Sequence, residues 1–290
     1  MYPEPIENFY VPIDLSEALE LLAKHSNGAR LIAGGQSLVP QMRAREVKPR
    51  TLIDLNGITD FTAIEIDGER LRIGALVRHR AVASDASLHA HCTAFAEAAL
   101  AIGDRQVRNR GTLLGNIVNA DHTADMLGPA IALDARLGIV SAAGGLRSEP
   151  VESFVTGPRE CGLATDEIVS FMDIALSRHR SGSCYLKHGR VAQDRATLGV
   201  TARIIIDAKG ACVEARVVVT GVLPKPVRVG EIEAELLGRP VDRFDLPSLS
   251  ELAADRVATQ SDELASSTYR TQLIRVMTPK AIANAVQRAG

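Results

Sequence analysis

Two glycine-bearing segments some eighty residues apart constrain this chain more than anything else in it. The first, Leu31-Ile32-Ala33-Gly34-Gly35-Gln36-Ser37-Leu38, follows a short apolar stretch, Ala29-Arg30-Leu31-Ile32, that reads as a strand, so its amides would stand at a sheet edge. The second, Thr112-Leu113-Leu114-Gly115-Asn116, is introduced by Gln106-Val107-Arg108-Asn109-Arg110-Gly111. Glycine takes positive φ at little steric cost and lets bare N–H groups approach a ligand, so paired turns of this kind suit a pyrophosphate better than a metal or a nucleophile. Gly34-Gly35 alone is more often just a tight turn. The second segment shifts the balance, because Asn109, Thr112, Asn116, Asn119 and Asp121 concentrate small hydrogen-bonding side chains there.

The familiar nucleotide motifs do not fit. A Rossmann fingerprint needs G-x-G-x-x-G, and Gly34-Gly35-Gln36-Ser37 has the wrong spacing; a Walker loop needs Gly-Lys-Ser or Gly-Lys-Thr. The formal net charge is -2 with 23% charged residues and no dense basic stripe interleaved with aromatics, which disfavours a nucleic-acid partner. No basic-then-apolar leader opens the chain and no apolar run is long enough for a membrane span, so the expected location is cytoplasmic. The cysteines, Cys92, Cys161, Cys184 and Cys212, lie far apart, without the close pairings of zinc sites or iron–sulfur clusters. Any iron–sulfur centre that works with this chain is therefore expected on another one.

At 290 residues the length suggests two domains. Leu15, Ala18, Leu19 and Leu22 fall at helical spacing up to about His25, with Asp14 and Glu17 placed for a capping box. A strand before Gly34, a turn of helix near residues 41–45 and a strand at Thr51-Leu52-Ile53-Asp54-Leu55 follow. Ile64-Glu65-Ile66 and Leu71-Arg72-Ile73 alternate around Asp67-Gly68 as a hairpin, and residues 94–102 read as an alanine-rich helix leading into the second glycine turn. The polar run Arg178-His179-Arg180-Ser181-Gly182-Ser183 is the best linker candidate, giving residues 1–177 (lobes of about 1–56 and 57–177) and 178–290. Beyond it, residues 198–206 and 213–219 form a long hairpin around Asp207-Ala208-Lys209-Gly210, and residues 232–237, 249–259 and 273–288 are helical in pattern.

Other candidates have plain structural readings. His89, His91 and Cys92 lack a second cluster with ligand spacing and read as a solvated helix start. Ser37, Ser153 and Ser170 sit in no Gly-x-Ser-x-Gly elbow and read as turn or cap residues. Asp125, just before Gly128-Pro129, reads as a helix cap or as a partner for a ligand's ribose or amide. Lys187, in Tyr185-Leu186-Lys187-His188-Gly189-Arg190, reads on sequence alone as a solvated surface charge.

Residues 106–125, joined with 31–38, with Thr51-Leu52-Ile53-Asp54-Leu55-Asn56-Gly57-Ile58, with Ile73-Gly74-Ala75 and with 185–194, closely resemble the FAD-binding medium subunit of the molybdenum hydroxylases, the carbon monoxide dehydrogenase and xanthine dehydrogenase family. The resemblance covers essentially the whole chain. It implies an α+β fold: a two-lobed FAD-binding domain of the vanillyl-alcohol oxidase (PCMH) type, followed by a smaller C-terminal α/β domain. It also implies that Ile32, Ala33, Gly34, Gly35, Gln36, Ser37 and Leu38 form a first FAD loop, and Thr112, Gly115 and Asn116 a second. Asp125 would contact FAD, Lys187 would lie near the flavin ring, and Ile102 and Val169 would pack against the cofactor. No acid, base or nucleophile is expected on this chain. A large molybdopterin-binding subunit and a small iron–sulfur subunit are the implied partners, in a dimer of heterotrimers.

Two positions depart from the family pattern. Leu114 stands where a glycine is usual; if that position needs positive φ, a leucine is strained by about 1–3 kcal/mol and its side chain crowds the phosphates, weakening FAD binding. His122 stands where a proline is usual, which loosens the backbone before Asp125. The alternatives are a scaffold subunit with a decayed flavin site, or a stand-alone flavin oxidase.

Overall fold

The computed structural model describes residues 3–25, 28–222 and 224–290. Strand β1 (Asn8–Tyr10), helix α1 (Leu15–His25), β2 (Ala29–Ile32), α2 (Leu38–Arg43) and β3 (Thr51–Asp54) come first, and the three strands pair in parallel in the order β1-β3-β2. The cap of α1 forms much as its sequence implies. Asp14 accepts the Glu17 N–H at 2.9 Å, and the Glu17 carboxylate reaches back to the Ile13 N–H at 2.9 Å. Ala18, Leu19 and Leu22 are the buried stripe. Helix α2 starts earlier than expected and stops at Arg43, because Arg45 turns to a left-handed φ of 59° that no helix continues through.

The chain then builds a second sheet around a helical insertion. The hairpin β4 (Ile64–Asp67) and β5 (Arg70–Gly74) leads to α3 (His79–Ser84), α4 (Ala86–His91), α5 (Thr93–Ala101), α6 (Arg105–Arg110), α7 (Leu113–Val118) and α8 (Leu127–Ala132). After these come β6 (Arg136–Ser141), β7 (Gly145–Pro150), α9 (Val151–Phe154), the small pair β8 (Val155–Gly157) and β9 (Glu160–Cys161), and β10 (Glu167–Ala175). The sheet is antiparallel with order β4-β5-β10-β6-β7. One continuous apolar core runs through both sheets, from Ala18 and Ile53 through Phe95 and Leu113 to Ile139 and Met172, so the two lobes are fused rather than hinged.

The C-terminal part consists of β11 (Arg180–His188), β12 (Leu198–Ile206), β13 (Cys212–Thr220), β14 (Val227–Arg228), α10 (Gly230–Leu236), α11 (Leu246–Arg256) and α12 (Ser267–Ala289). Its strands form an antiparallel sheet in chain order, and Val200, Ile204 and Val217 pack with Ile274 and Ile282 of α12 in a separate core. Gly182 lets α12 lie directly on the sheet, since a Cβ there would meet the Ala285 carbonyl oxygen at 2.0 Å. The expected linker is shorter than its composition implies: β11 begins at Arg180, so Arg180 to Ser183 are paired strand residues. The architecture is the two-lobed α+β arrangement with a C-terminal domain that the resemblance implies. Among the described residues no helix is long and apolar enough to cross a membrane.

Candidate cofactor site

The first glycine loop forms the wall of a cleft. Ile32, Ala33, Gly34, Gly35 and Gln36 line a cavity of about 370 Å³ together with Arg43, Asp54, Asn56 and Arg110. Gly35 has a φ of 72°, the left-handed turn that its glycine permits. Gly34 is needed for a different reason: a Cβ there would lie 2.4 Å from the Arg110 carbonyl oxygen and 2.7 Å from the Gly111 Cα. The two glycine segments therefore touch, backbone against backbone. Asn56 holds the loop from below by donating to the Ala33 carbonyl at 2.9 Å while accepting from the Arg78 guanidinium. The amides of residues 33–37 donate to no other protein group among the described residues. A row of unspent N–H donors beside two guanidinium groups is a donor set that fits a diphosphate. Ser37 caps α2 through its backbone only, and Leu38 begins that helix behind the cleft.

The second segment is not a turn. Thr112 is the N-cap of α7, accepting the Gly115 N–H at 3.1 Å, and Leu114 lies in the helix's first turn. Leu114 has no positive φ and its side chain is 2% exposed, inside the core. The expected strain and phosphate crowding are therefore both absent: the helix supplies the conformation a leucine prefers, and it points the side chain away from the cleft. Asn116 faces inward along the chain, accepting the Met126 N–H at 3.1 Å and so fixing the segment that carries Asp125. Thr112, Gly115 and Asn116 do not line the cleft of the first loop; they tie that cleft to the next cluster.

That cluster is buried and ionic. Asp125 is not a cap, because α8 starts after Met126 and the carboxylate is engaged elsewhere. Its Oδ1 accepts from the Tyr185 hydroxyl at 2.6 Å and its Oδ2 from the Lys187 ammonium at 3.1 Å. The Lys187 side chain is only 9% exposed and also donates to the Ala101 carbonyl at 2.9 Å, so it is no surface charge. Burial pushes the Asp125 carboxyl up, against the opposing pull of the Lys187 ammonium and the Tyr185 hydroxyl. Ile102, the residue after Ala101, ends α5 and is buried, and Val169 is buried in β10 opposite Ile139. Sequence reasoning missed Tyr185 and Arg110. Tyr185 falls two residues before Lys187 on one strand face, and Arg110 directly precedes Gly111, so both lay inside the segments already singled out.

The other candidates fall outside this site. His89 and His91 are in the last turn of α4, not at a helix start, and Cys92 is buried, its thiol pushed up to about 12 by burial. Ser153 donates to Pro150 at 3.1 Å, and Ser170 sits at a bulge of β10 and donates to Gly138 at 3.1 Å. A second cleft of about 400 Å³ is lined by Arg190, Asp194, Arg195 and Glu263. Its guanidinium groups are already paired, Arg190 with Asp194 at 3.0 Å and Arg195 with Glu263 at 3.6 Å.

Comparison with known proteins bears directly on this geometry. Residues 5–174 match the model described as the FAD binding domain in molybdopterin dehydrogenase, and residues 183–285 the CO dehydrogenase flavoprotein C-terminal domain. A xanthine dehydrogenase FAD-binding subunit of Escherichia coli is 33% identical over 95% of this chain and 94% of its own length. The alpha subunit of the 6-hydroxypseudooxynicotine dehydrogenase complex of Paenarthrobacter nicotinovorans is 29% identical over 98% of this chain and 96% of its own. Among solved structures, carbon monoxide dehydrogenase from Hydrogenophaga pseudoflava superposes with a TM-score of 0.93 at 29% identity, covering 100% of both chains.

Proposed function

This chain belongs to the FAD-binding flavoprotein subunits of the molybdopterin dehydrogenases, and from that premise we propose how its residues divide the work. The amides of residues 32–38 and the guanidinium groups of Arg43 and Arg110 hold the FAD diphosphate. Thr112, Gly115 and Asn116 anchor the second wall, and Ile102 and Val169 offer apolar surface to the ring. Asp125 and Lys187 supply the charged contacts near it. FAD, when bound, supplies the redox chemistry, while the protein supplies binding, orientation and electrostatics. The observation that carries this reading is the unspent run of amides at residues 33–37, packed against the Arg110–Gly111 backbone.

In this reading substrate is oxidised on a large molybdopterin-binding subunit. Electrons pass through the clusters of a small iron–sulfur subunit to FAD on this chain, and then to an external acceptor. The assembly is a dimer of heterotrimers in the cytoplasm, and the chain divides into an FAD-binding unit of residues 1–177 and a C-terminal unit of 178–290. The scaffold alternative drew on strain at Leu114, which a helical leucine does not carry. Flavin content decides the matter: the purified complex should carry flavin absorbance, or take up added FAD stoichiometrically. A colourless complex that added FAD does not restore would refute the reading.

A further inference from the structure

Tyr185, Asp125 and Lys187 form a chain of buried contacts. Tyr185 and Lys187 are two apart on β11, so both side chains leave the same face of the strand. Asp125 divides its oxygens between them, with the hydroxyl at 2.6 Å on Oδ1 and the ammonium at 3.1 Å on Oδ2. Tyr185 is buried, and Gly199 of the neighbouring strand leaves the space its hydroxyl fills: a Cβ at 199 would lie 2.9 Å from that oxygen. Lys187 is held on its other side by the Ala101 carbonyl at the C-terminal end of α5, where the helix presents partial negative charge.

From this arrangement we propose that Tyr185 is a positioning residue: its hydroxyl keeps Asp125 ionised, so that the Lys187 ammonium beside the cofactor stays compensated by a full negative charge. The inference rests on the FAD reading for its consequence, not for its geometry. Burial opposes the ionised form of Asp125, and the Lys187 ammonium and then the Tyr185 hydroxyl favour it, so both donors work to keep this carboxylate charged. Burial drives the Tyr185 phenol's own ionisation well up, which leaves it a donor throughout the working range.

Without the hydroxyl, Asp125 takes up a proton at higher pH, and Lys187 then faces a neutral acid. The local charge changes from zero to one positive, which favours the extra negative charge of a reduced flavin and raises its potential. The other charges near β11 do not substitute. Glu97 of α5 accepts the Tyr185 backbone N–H at 2.8 Å and is paired with Arg288 of α12 at 2.5 Å, contacts that the loss of a phenol oxygen leaves in place. Asp121, earlier on the Asp125 segment, is turned toward Arg159 and Arg195 at 3.7 and 3.6 Å.

The test compares wild type, Tyr185→Phe and Asp125→Asn by two readouts. The first is the Asp125 carboxyl titration followed by carbon NMR in the flavin-free chain. Tyr185→Phe should raise its midpoint by about one pH unit, a tenfold change in proton affinity. The second is the FAD midpoint potential against pH in the flavin-loaded protein. Tyr185→Phe should lie above wild type between the wild-type and the new Asp125 midpoints and coincide with it outside that window, and Asp125→Asn should lie above wild type at every pH above the wild-type midpoint. An unmoved Asp125 titration in a folded Tyr185→Phe protein overturns the proposal. So does an Asp125→Asn potential at or below wild type above the wild-type midpoint, which remains measurable if Tyr185→Phe does not fold. If the wild-type protein takes up no FAD, the functional reading fails and the carboxyl titration still decides the role of Tyr185.

Discussion

The cleft at Gly34 and the cluster at Lys187 solve opposite problems with opposite materials. The cleft is open to water and its first wall is made of backbone: its amides are fixed by glycine geometry, and a side chain at Gly34 would push apart the two segments that meet there. The cluster is closed and made of side chains: two opposite charges 3.1 Å apart with side-chain exposures of 9% and 8%, brought together from positions 62 residues apart. Backbone recognition tolerates solvent because an amide cannot swing away. A buried ion pair holds only when every partner is in place. The difference teaches that a backbone cleft and a buried ion pair fail in different ways.

Lys187→Met should break that comparison most visibly. It leaves Asp125 buried without its cation, at a cost of about 3–5 kcal/mol in unfolding by urea. Binding of adenosine diphosphate, which on the proposed reading needs only the cleft, should change less than about threefold by calorimetry, a free-energy change under about 1 kcal/mol. A parallel loss of both would show that the two regions are one cooperative unit.

Leu114→Ala comes next, with a cost of about 2–5 kcal/mol from the cavity it opens in the shared core. It should bring no gain in FAD retention; tighter retention on equilibrium dialysis would revive the crowding argument. Gly34→Ala should cost about 1–3 kcal/mol of stability, because the Arg110 and Gly111 backbone must move. Affinity for adenosine diphosphate should fall at least about tenfold, or about 1.4 kcal/mol. The cluster's Asp125 carboxyl titration should stay where it is.

The smallest effect is electrostatic and lies beneath the second wall. His79 is buried against Gly111, and burial with Arg108 and Arg78 nearby lowers its pKa from 6.5 to about 3. The unfolded chain therefore binds the proton first as pH falls. The stability tied to neutral His79 is fully present above about pH 6.5 and is lost progressively toward pH 3. Between pH 6.5 and 5.5 wild type should lose about 1 kcal/mol more than His79→Gln in denaturant titrations. Equal slopes would mean that water reaches the imidazole.

The backbone cleft was legible in the residues themselves, whereas the ionic cluster was reached only through the family resemblance. Gly35, the Asp14 cap and the β4–β5 hairpin announce themselves because their causes are local: a φ value, a hydrogen bond three residues away, an alternation. Lys187 read as a surface charge because its burial is decided by Asp125 and the end of α5, neither of which is near it in the chain. Strand β1 escaped notice for the same reason, being three residues long with its parallel partner β3 far along the sequence. Leu114 misled in the other direction. A missing glycine signals strain where the backbone is left-handed or another backbone lies against it, and the cap by Thr112 that makes this stretch helical was visible as a threonine three residues before Gly115.

Helix α5 and strand β11 are joined rung by rung: Ser183 accepts the Ala94 N–H at 3.1 Å, the Tyr185 N–H reaches Glu97 at 2.8 Å, and Lys187 reaches Ala101 at 2.9 Å. During synthesis the first partner of each rung leaves the ribosome some ninety residues ahead of the second. The contacts of α5 with β11 therefore close only after every strand of the first two sheets has been made, so translation order makes the Lys187 ion pair a late addition to a core already specified.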